Sequence, residues 1–150
     1  MTRDEILAMK PGRELTKLVA IHVMKYQIYH YDKDRKENCY YMLVDEEGNA
    51  VTDEIGLHAG ERKTEEEAWD DCPKFSEDIT AAWEAEAKIA ELGLADGYCN
   101  ELFRICWTDR GGKNDHAGIV ASLWYLVHAT SEQRCKAALL AKLEAEEGTD

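Results

Sequence analysis

The chain has 150 residues, a formal net charge of −13 and 45% hydrophobic side chains. That length fits one domain spanning 1–150 whose core needs no disulfide or metal, and the apolar content excludes global disorder. Residues 1 to 50 are near balance, with 8 basic and 9 acidic side chains, whereas residues 51 to 150 hold 10 and 22. With no surplus of Lys and Arg, double-stranded nucleic acid is excluded as an expected partner, and the acidic surface opposes docking on anionic membranes. No stretch approaches transmembrane length, and the residues after Met1 lack the apolar run of a signal peptide. The five cysteines, Cys39, Cys72, Cys99, Cys106 and Cys135, are odd in number, widely spaced and without a CxxC pair. They read as free thiols in a reducing cytoplasm, with no structural zinc.

Thr2 and Glu5 have capping-box spacing ahead of a short helix over about 4–10. Pro11-Gly12 breaks it, and a second helix runs from 13 or 14 to about 26. Leu15, Leu18, Val19, His22, Val23 and Tyr26 form its apolar stripe, which makes His22 a core or half-buried residue. The charged part of QIYHYDKDRKEN reads as a loop or a hairpin arm. CYYMLV is aromatic and β-prone, AVTDEI is a weaker return strand, and Asp45 to Asn49 makes the turn between them. Residues 57 to 64 are surface loop, and Thr64 with Glu67 repeats the capping spacing before one helical turn. Ser76 is the expected N-cap of a helix over 77–92, closed by Gly93. On that helix Trp83 is the largest apolar side chain and is read as core. GLADGYCN reads as a turn. ELFRICWT, residues 101–108, alternates as a strand, and the turn DRGGKND would pair it with a second strand over 119–127. Thr130 and Gln133 box the last helix, whose stripe is Cys135, Ala138, Leu139 and Leu143. The tail is expected to fray from about 146.

Three segments taken together carry a resemblance. TRDEILAMKPGRELTKLVA, PKFSEDITAAWEAEAKI and CKAALLAKLE resemble the phage ABA sandwich domain family of small phage and prophage proteins. Met9 to Leu15 fit the family opening, and Leu18 to Met24 fit it more loosely. Pro73, Phe75, Ser76, Asp78, Ile79, Ala81, Ala82 and Trp83 fill the central pattern. Cys135, Ala137, Ala138, Leu139, Leu140 and Leu143 fill the last one. The resemblance spans nearly the whole chain in order, and it departs over 29–64 and in the apolar run from 118. It implies an α/β (α+β) fold, a small, mostly antiparallel sheet layered between helices. It brings no catalytic residue, because the matching positions read as caps, turns and core.

Chemistry-bearing motifs are few. There is no phosphate loop with Walker spacing, no HExxH and no GxSxG. His22, His30, His58, His116 and His128 are not spaced to share one helix face, so no metal or cofactor is implied. Glu65, Glu66, Glu67, Asp70 and Asp71 read as a solvated face. Cys72, before Pro73 and a helix N-terminus, is the best-placed thiol nucleophile, against the plainer reading of an ordinary thiol. Asp109 to His116 gathers Arg110, Lys113 and two glycines in an otherwise acidic chain. Its plain reading is a solvent-exposed turn. Its functional reading is an anion-recognition loop, with Arg110 and Lys113 on phosphate and Trp107 and Tyr125 stacking on a base. The expected function is a non-enzymatic phage or prophage accessory protein in the host cytoplasm. It would counter a host defence by binding a host protein or sequestering an anionic nucleotide, with self-association left open. A small hydrolase of phosphorylated or nucleotide substrates is the alternative.

Overall fold

A computed structural model of the chain describes residues 1–32, 39–51, 61–109, 123 and 126–148. Helices α1 (Arg3–Ala8) and α2 (Arg13–His22) lead into an antiparallel pair, β1 (Gln27–Asp32) and β2 (Cys39–Val44). Helices α3 (Glu65–Trp69), α4 (Ile79–Glu91), α5 (Ala95–Thr108) and α6 (Ser131–Glu147) follow. The fold is mixed α/β, a small two-stranded antiparallel sheet flanked by several helices.

Helix α6 is the hub. Eight consecutive residues, 134 to 141, are buried, so this helix is covered on all sides. Helices α1, α2, α4 and α5 all pack on it. Its alanines let neighbours approach closely, while Leu139, Leu140 and Cys135 fill the space between them. The capping boxes expected at Thr2–Glu5 and Thr130–Gln133 are both formed. Thr64 accepts from the Glu67 N–H as expected. Gly12, at φ +144°, is held to the Pro11 break in a conformation only glycine takes easily. Gly93 ends α4 at φ +73°.

The hairpin is rearranged from the expectation. CYYMLV pairs along its length with QIYHYD, in register from Gln27↔Val44 to Asp32↔Cys39. The turn at Asp45–Asn49 is present, tied by Asp45 N–H to the Asn49 carbonyl at 2.9 Å and by its side chain on Asn49 N–H. Of the return strand, Ala50 bridges Val44 and Val51 N–H reaches the Leu43 carbonyl. Its remaining residues lie outside the described residues. Helix α2 stops four residues short, at His22, which is half-buried.

The structure corrects four expectations: the strand at 101–108, the turn before it, the second hairpin and the cap of α4. Residues 101–108 are helix, the second half of α5, and the turn expected at 93–100 is mostly its first half. Tyr98, Leu102, Ile105 and Cys106 face the core at helical spacing. Apolar residues filled both faces of 101–108, so alternation and helical period fitted equally well. The second hairpin is thereby lost, and Leu123, Leu126 and Val127 of its other arm are helical. Ser76 is not the cap of α4. Asp78 is, accepting from Thr80 N–H at 2.8 Å. The buried Ser76 hydroxyl instead takes the Gly12 N–H at 2.9 Å and shares a hydrogen with Thr16 Oγ1 at 3.0 Å, fastening the loop before α4 to the start of α2. Helix α6 ends at Glu147, next to the point from which the tail is expected to fray.

Truncating the hub should show this dependence directly. Leu139→Ala is expected to cost about 2–5 kcal/mol of unfolding free energy in a urea titration, because Leu139 is fully buried among four helices. A loss below about 1 kcal/mol would place Leu139 outside a packed core.

Candidate functional site

Among the described residues, two clefts and one helix face are open to a ligand or a partner. The first cleft, of 460 Å³, lies between the hairpin end and the N-terminal half of α4. Tyr26, Val51, Cys72, Pro73 and Ala81 give it an apolar floor, and Asp45, Asp71, Asp78 and Glu84 give it an acidic rim. Asp71 is held by Arg62 through two hydrogen bonds, at 2.9 and 2.6 Å. Asp45 closes its turn and Asp78 caps α4, so these carboxylates too are fixed in place by local structure.

The best-placed thiol sits in this floor. Cys72 is buried, its Sγ 3.6 Å from the Pro73 carbonyl, and burial pushes its thiol up to about 12. Burial also pushes the Tyr26 phenol up to about 12, with the Glu84 carboxylate adding to the shift. Neither group supplies a thiolate or phenolate near neutral pH, so the floor is not nucleophilic. Cys135, in the hub, is likewise pushed up to about 12 by burial. Cys106 is buried beside Gln133, and Cys99 is exposed.

The second cleft, of 250 Å³, is lined by Arg3 and Leu7 of α1, by Arg104, Ile105 and Thr108 of α5, and by Glu132, Gln133 and Lys136 of α6. Behind it lies Glu101, 1% exposed. One of its carboxylate oxygens takes Arg3 Nη2 at 2.6 Å and the other takes Arg104 Nη1 at 2.8 Å. Arg3 is held still more firmly protonated by this contact. Lys136 donates to Glu132 at 2.6 Å and to the Leu7 carbonyl at 2.9 Å. Asp109 lies on the rim, hydrogen-bonded to Gln133 Nε2 at 2.6 Å. The three cations come from three helices far apart in sequence, a convergence that local spacing does not reveal.

Of the residues proposed for anion recognition, Arg110, Lys113 and Tyr125 lie outside the described residues. Trp107 is half-buried near the end of α5 and stacks on Phe103, with ring centroids 5.9 Å apart. The loop bearing Arg110 and Lys113 leaves the described structure at Asp109, on the rim of the second cleft. The acidic run at 65–71 is largely a solvated helix edge. Arg13 bridges Glu66 and Asp70 at 2.7 and 3.1 Å, and Lys17 lies over the Trp69 ring.

The helix face is the outer side of α4. Trp83, expected in the core, is 54% exposed, and Ile79 one turn earlier is 38% exposed. The inner side is Ala81, Ala82, Ala85 and Ile89. Helix α4 therefore meets the hub with small residues and turns its largest side chain outward. The signal was in the spacing: Ile79, Trp83, Ala87 and Ala90 make a second strip beside the inner one. Scattered exposed apolar residues need no explanation, but an exposed Trp joined to an exposed Ile on a helix whose other face is satisfied is informative.

Among the described residues no helix is long and apolar enough to cross a membrane, and no group of three His, Cys, Asp or Glu is arranged to hold a metal ion. Comparison of the chain with protein-family models, with curated proteins and with solved structures gave no match.

The buried acids of this region set an alkaline limit. Cys72 and Cys135 ionise near 9 in an unfolded chain and near 12 when folded, and Tyr26 and Tyr98 are also raised. Between those values the unfolded state binds fewer protons, so stability falls with rising pH. The melting temperature should hold up to about pH 9 and drop steadily from there toward pH 11. A flat profile across that window would mean that these thiols and phenols are open to water.

Proposed function

We propose that the chain is a non-enzymatic accessory protein of a phage or prophage, acting in the host cytoplasm by binding a host protein and so countering a host process. The observation that carries the binding role is Trp83, 54% exposed beside Ile79 on a helix whose inner face is already packed. Tryptophan is the side chain most enriched at the energetic centres of protein interfaces. The surrounding surface is acidic, which would steer a basic partner and speed its encounter. The phage origin is drawn from the resemblance of the three sequence segments. Of the positions that carry it, Phe75, Ser76, Ala81 and Ala82 are buried and Asp78 is a cap, whereas Ile79 and Trp83 face outward. The hydrolase alternative through Cys72 is disfavoured by the burial that holds its thiol up to about 12.

Trp83→Ala tests the reading. The variant should keep its helical spectrum and lose about 1 kcal/mol or less of stability, since over half of the side chain is already in water. Host-lysate proteins retained by the parent chain should be lost from the variant, scored by quantitative mass spectrometry of paired pull-downs. Identical retention by the two chains would remove this face as the binding site.

A second reading, sequestration of an anionic nucleotide, is favoured by the convergence of Arg3, Arg104 and Lys136 on one cleft beside Asp109. The cations there are already matched by Glu101 and Glu132. A phosphate would therefore need the added charge of Arg110 and Lys113. In a thermal-shift screen of mono- and dinucleotides, the triple variant R104A/R110A/K113A should lose any stabilisation that the parent gains. A nucleotide that shifts both chains equally would place its site elsewhere.

A further inference from the structure

We infer that the outer face of α4 and the acidic cleft beside it form one docking surface for a basic amphipathic helix of a partner protein. In that complex an apolar side chain rests on Trp83 and Ile79, and an Arg or Lys reaches over Glu84 into the cleft. The inference rests on the protein-binding reading above and adds the partner's chemistry.

The two halves of the surface are contiguous along one helix. Ile79, Trp83, Ala87 and Ala90 recur at steps of four and three, which keeps them on one strip. Glu84, next to Trp83, lines the cleft, as do Ala81 and the capping residue Asp78. A rotation of about one residue, roughly 100° around α4, leads from the apolar strip to the carboxylates. The exposed carboxylate of Glu91, 3.8 Å from Lys88 Nζ, borders the strip two turns beyond Glu84. Across the far edge, Arg134 of α6 donates both to Glu86 of α4 and to the carbonyl of Val127, whose side chain is 70% exposed.

Charge decides the occupant. Among the described residues, the cleft is lined by four carboxylates and one lysine, Lys74. Arg62 neutralises Asp71 from outside the lining, and the remaining balance stays negative. The apolar floor of Tyr26, Val51 and Ala81 suits the methylene stem of an Arg or Lys whose head meets the rim. A second copy of this chain would bring another −13 against that rim. An acidic helix would meet like charge at the rim formed by Asp45, Asp78 and Glu84. A basic helix satisfies the strip and the rim together, as amphipathic helices do in apolar grooves flanked by opposite charge.

The probe is a synthetic amphipathic helix with leucines on one face and arginines on the other, with a twin carrying glutamates for the arginines. Binding of each labelled peptide to the full chain is read by fluorescence anisotropy at two salt concentrations. The arginine peptide should bind, weaken as salt rises, and bind at least about tenfold more weakly to Trp83→Ala and to Glu84→Lys. The glutamate twin should not bind. Equal binding of the arginine peptide to parent and both variants would overturn the docking surface, and so would equal binding of the two peptides to the parent. A dimer in sedimentation that Trp83→Ala dissolves would overturn it in favour of a second copy. Paired lysate pull-downs separate the two levels. If host proteins still depend on Trp83 while the arginine peptide fails, protein binding stands and the basic helix does not. If neither depends on Trp83, both fall.

Discussion

The guanidinium of Arg134 is the contact on which the helical packing depends. Its side chain is 7% exposed, inside the hub helix, where an unpaired charge would cost several kcal/mol. It is not left unpaired. Arg134 donates to the Glu86 carboxylate of α4 and to the carbonyls of Leu126, Val127 and Ala129. The Tyr98 hydroxyl of α5 donates to the same Glu86 oxygen at 2.8 Å. One planar cation thus fixes α4, α5, α6 and the segment before α6 relative to one another. A lysine there has no fork with which to reach carboxylate and carbonyls at once. The second buried cation of the hub works similarly toward the other end of the chain. Lys136 donates to the Leu7 carbonyl in the last turn of α1, where backbone acceptors lack helical partners.

These buried charges explain how a strongly acidic chain packs around a helix whose sequence alternates charge and small apolar residues. Each buried charge is matched: Glu86 lies against buried Arg134, Glu132 against buried Lys136, and buried Glu101 between the more exposed Arg3 and Arg104. The excess carboxylates go to the outside. Several of them cap or close local structure first, as Asp45 and Asp78 do, and only then contribute to a surface field. The interior needs nothing further from the outer side of α4. That is why Trp83 stands in water at no cost to the packed core, while burial holds the Cys72 and Cys135 thiols and the Tyr26 phenol protonated at neutral pH.

Local chemistry was the legible part of the sequence. The capping boxes at Thr2 and Thr130, the Gly93 stop and the turn at Asp45–Asn49 each depend on a few neighbouring residues, and each is where the spacing puts it. The mixed fold with a small antiparallel sheet was legible as well. Reading failed where tertiary contacts chose between local patterns. ELFRICWT fits two periods, and burial of Glu101 between two arginines goes with the helical one. Ser76 had the chemistry of a cap but is drawn away by Gly12 and Thr16, some 60 residues earlier. Trp83 was misplaced for a related reason: hydrophobicity alone ranks it as core, whereas the hub accepts only the alanine side of α4. The second cleft was invisible because Arg3, Arg104 and Lys136 meet only after folding.

The central claim is that the packed interior excludes Trp83 while enclosing other aromatic residues, and side-chain oxidation tests it within one molecule. Trp69 is 7% exposed and Trp83 is 54% exposed, so two indoles of equal intrinsic reactivity differ chiefly in their access to solvent. In hydroxyl-radical footprinting of the intact chain, Trp83 should oxidise several-fold faster than Trp69. Equal rates, or a slower Trp83, would put its indole in the core and contradict the account.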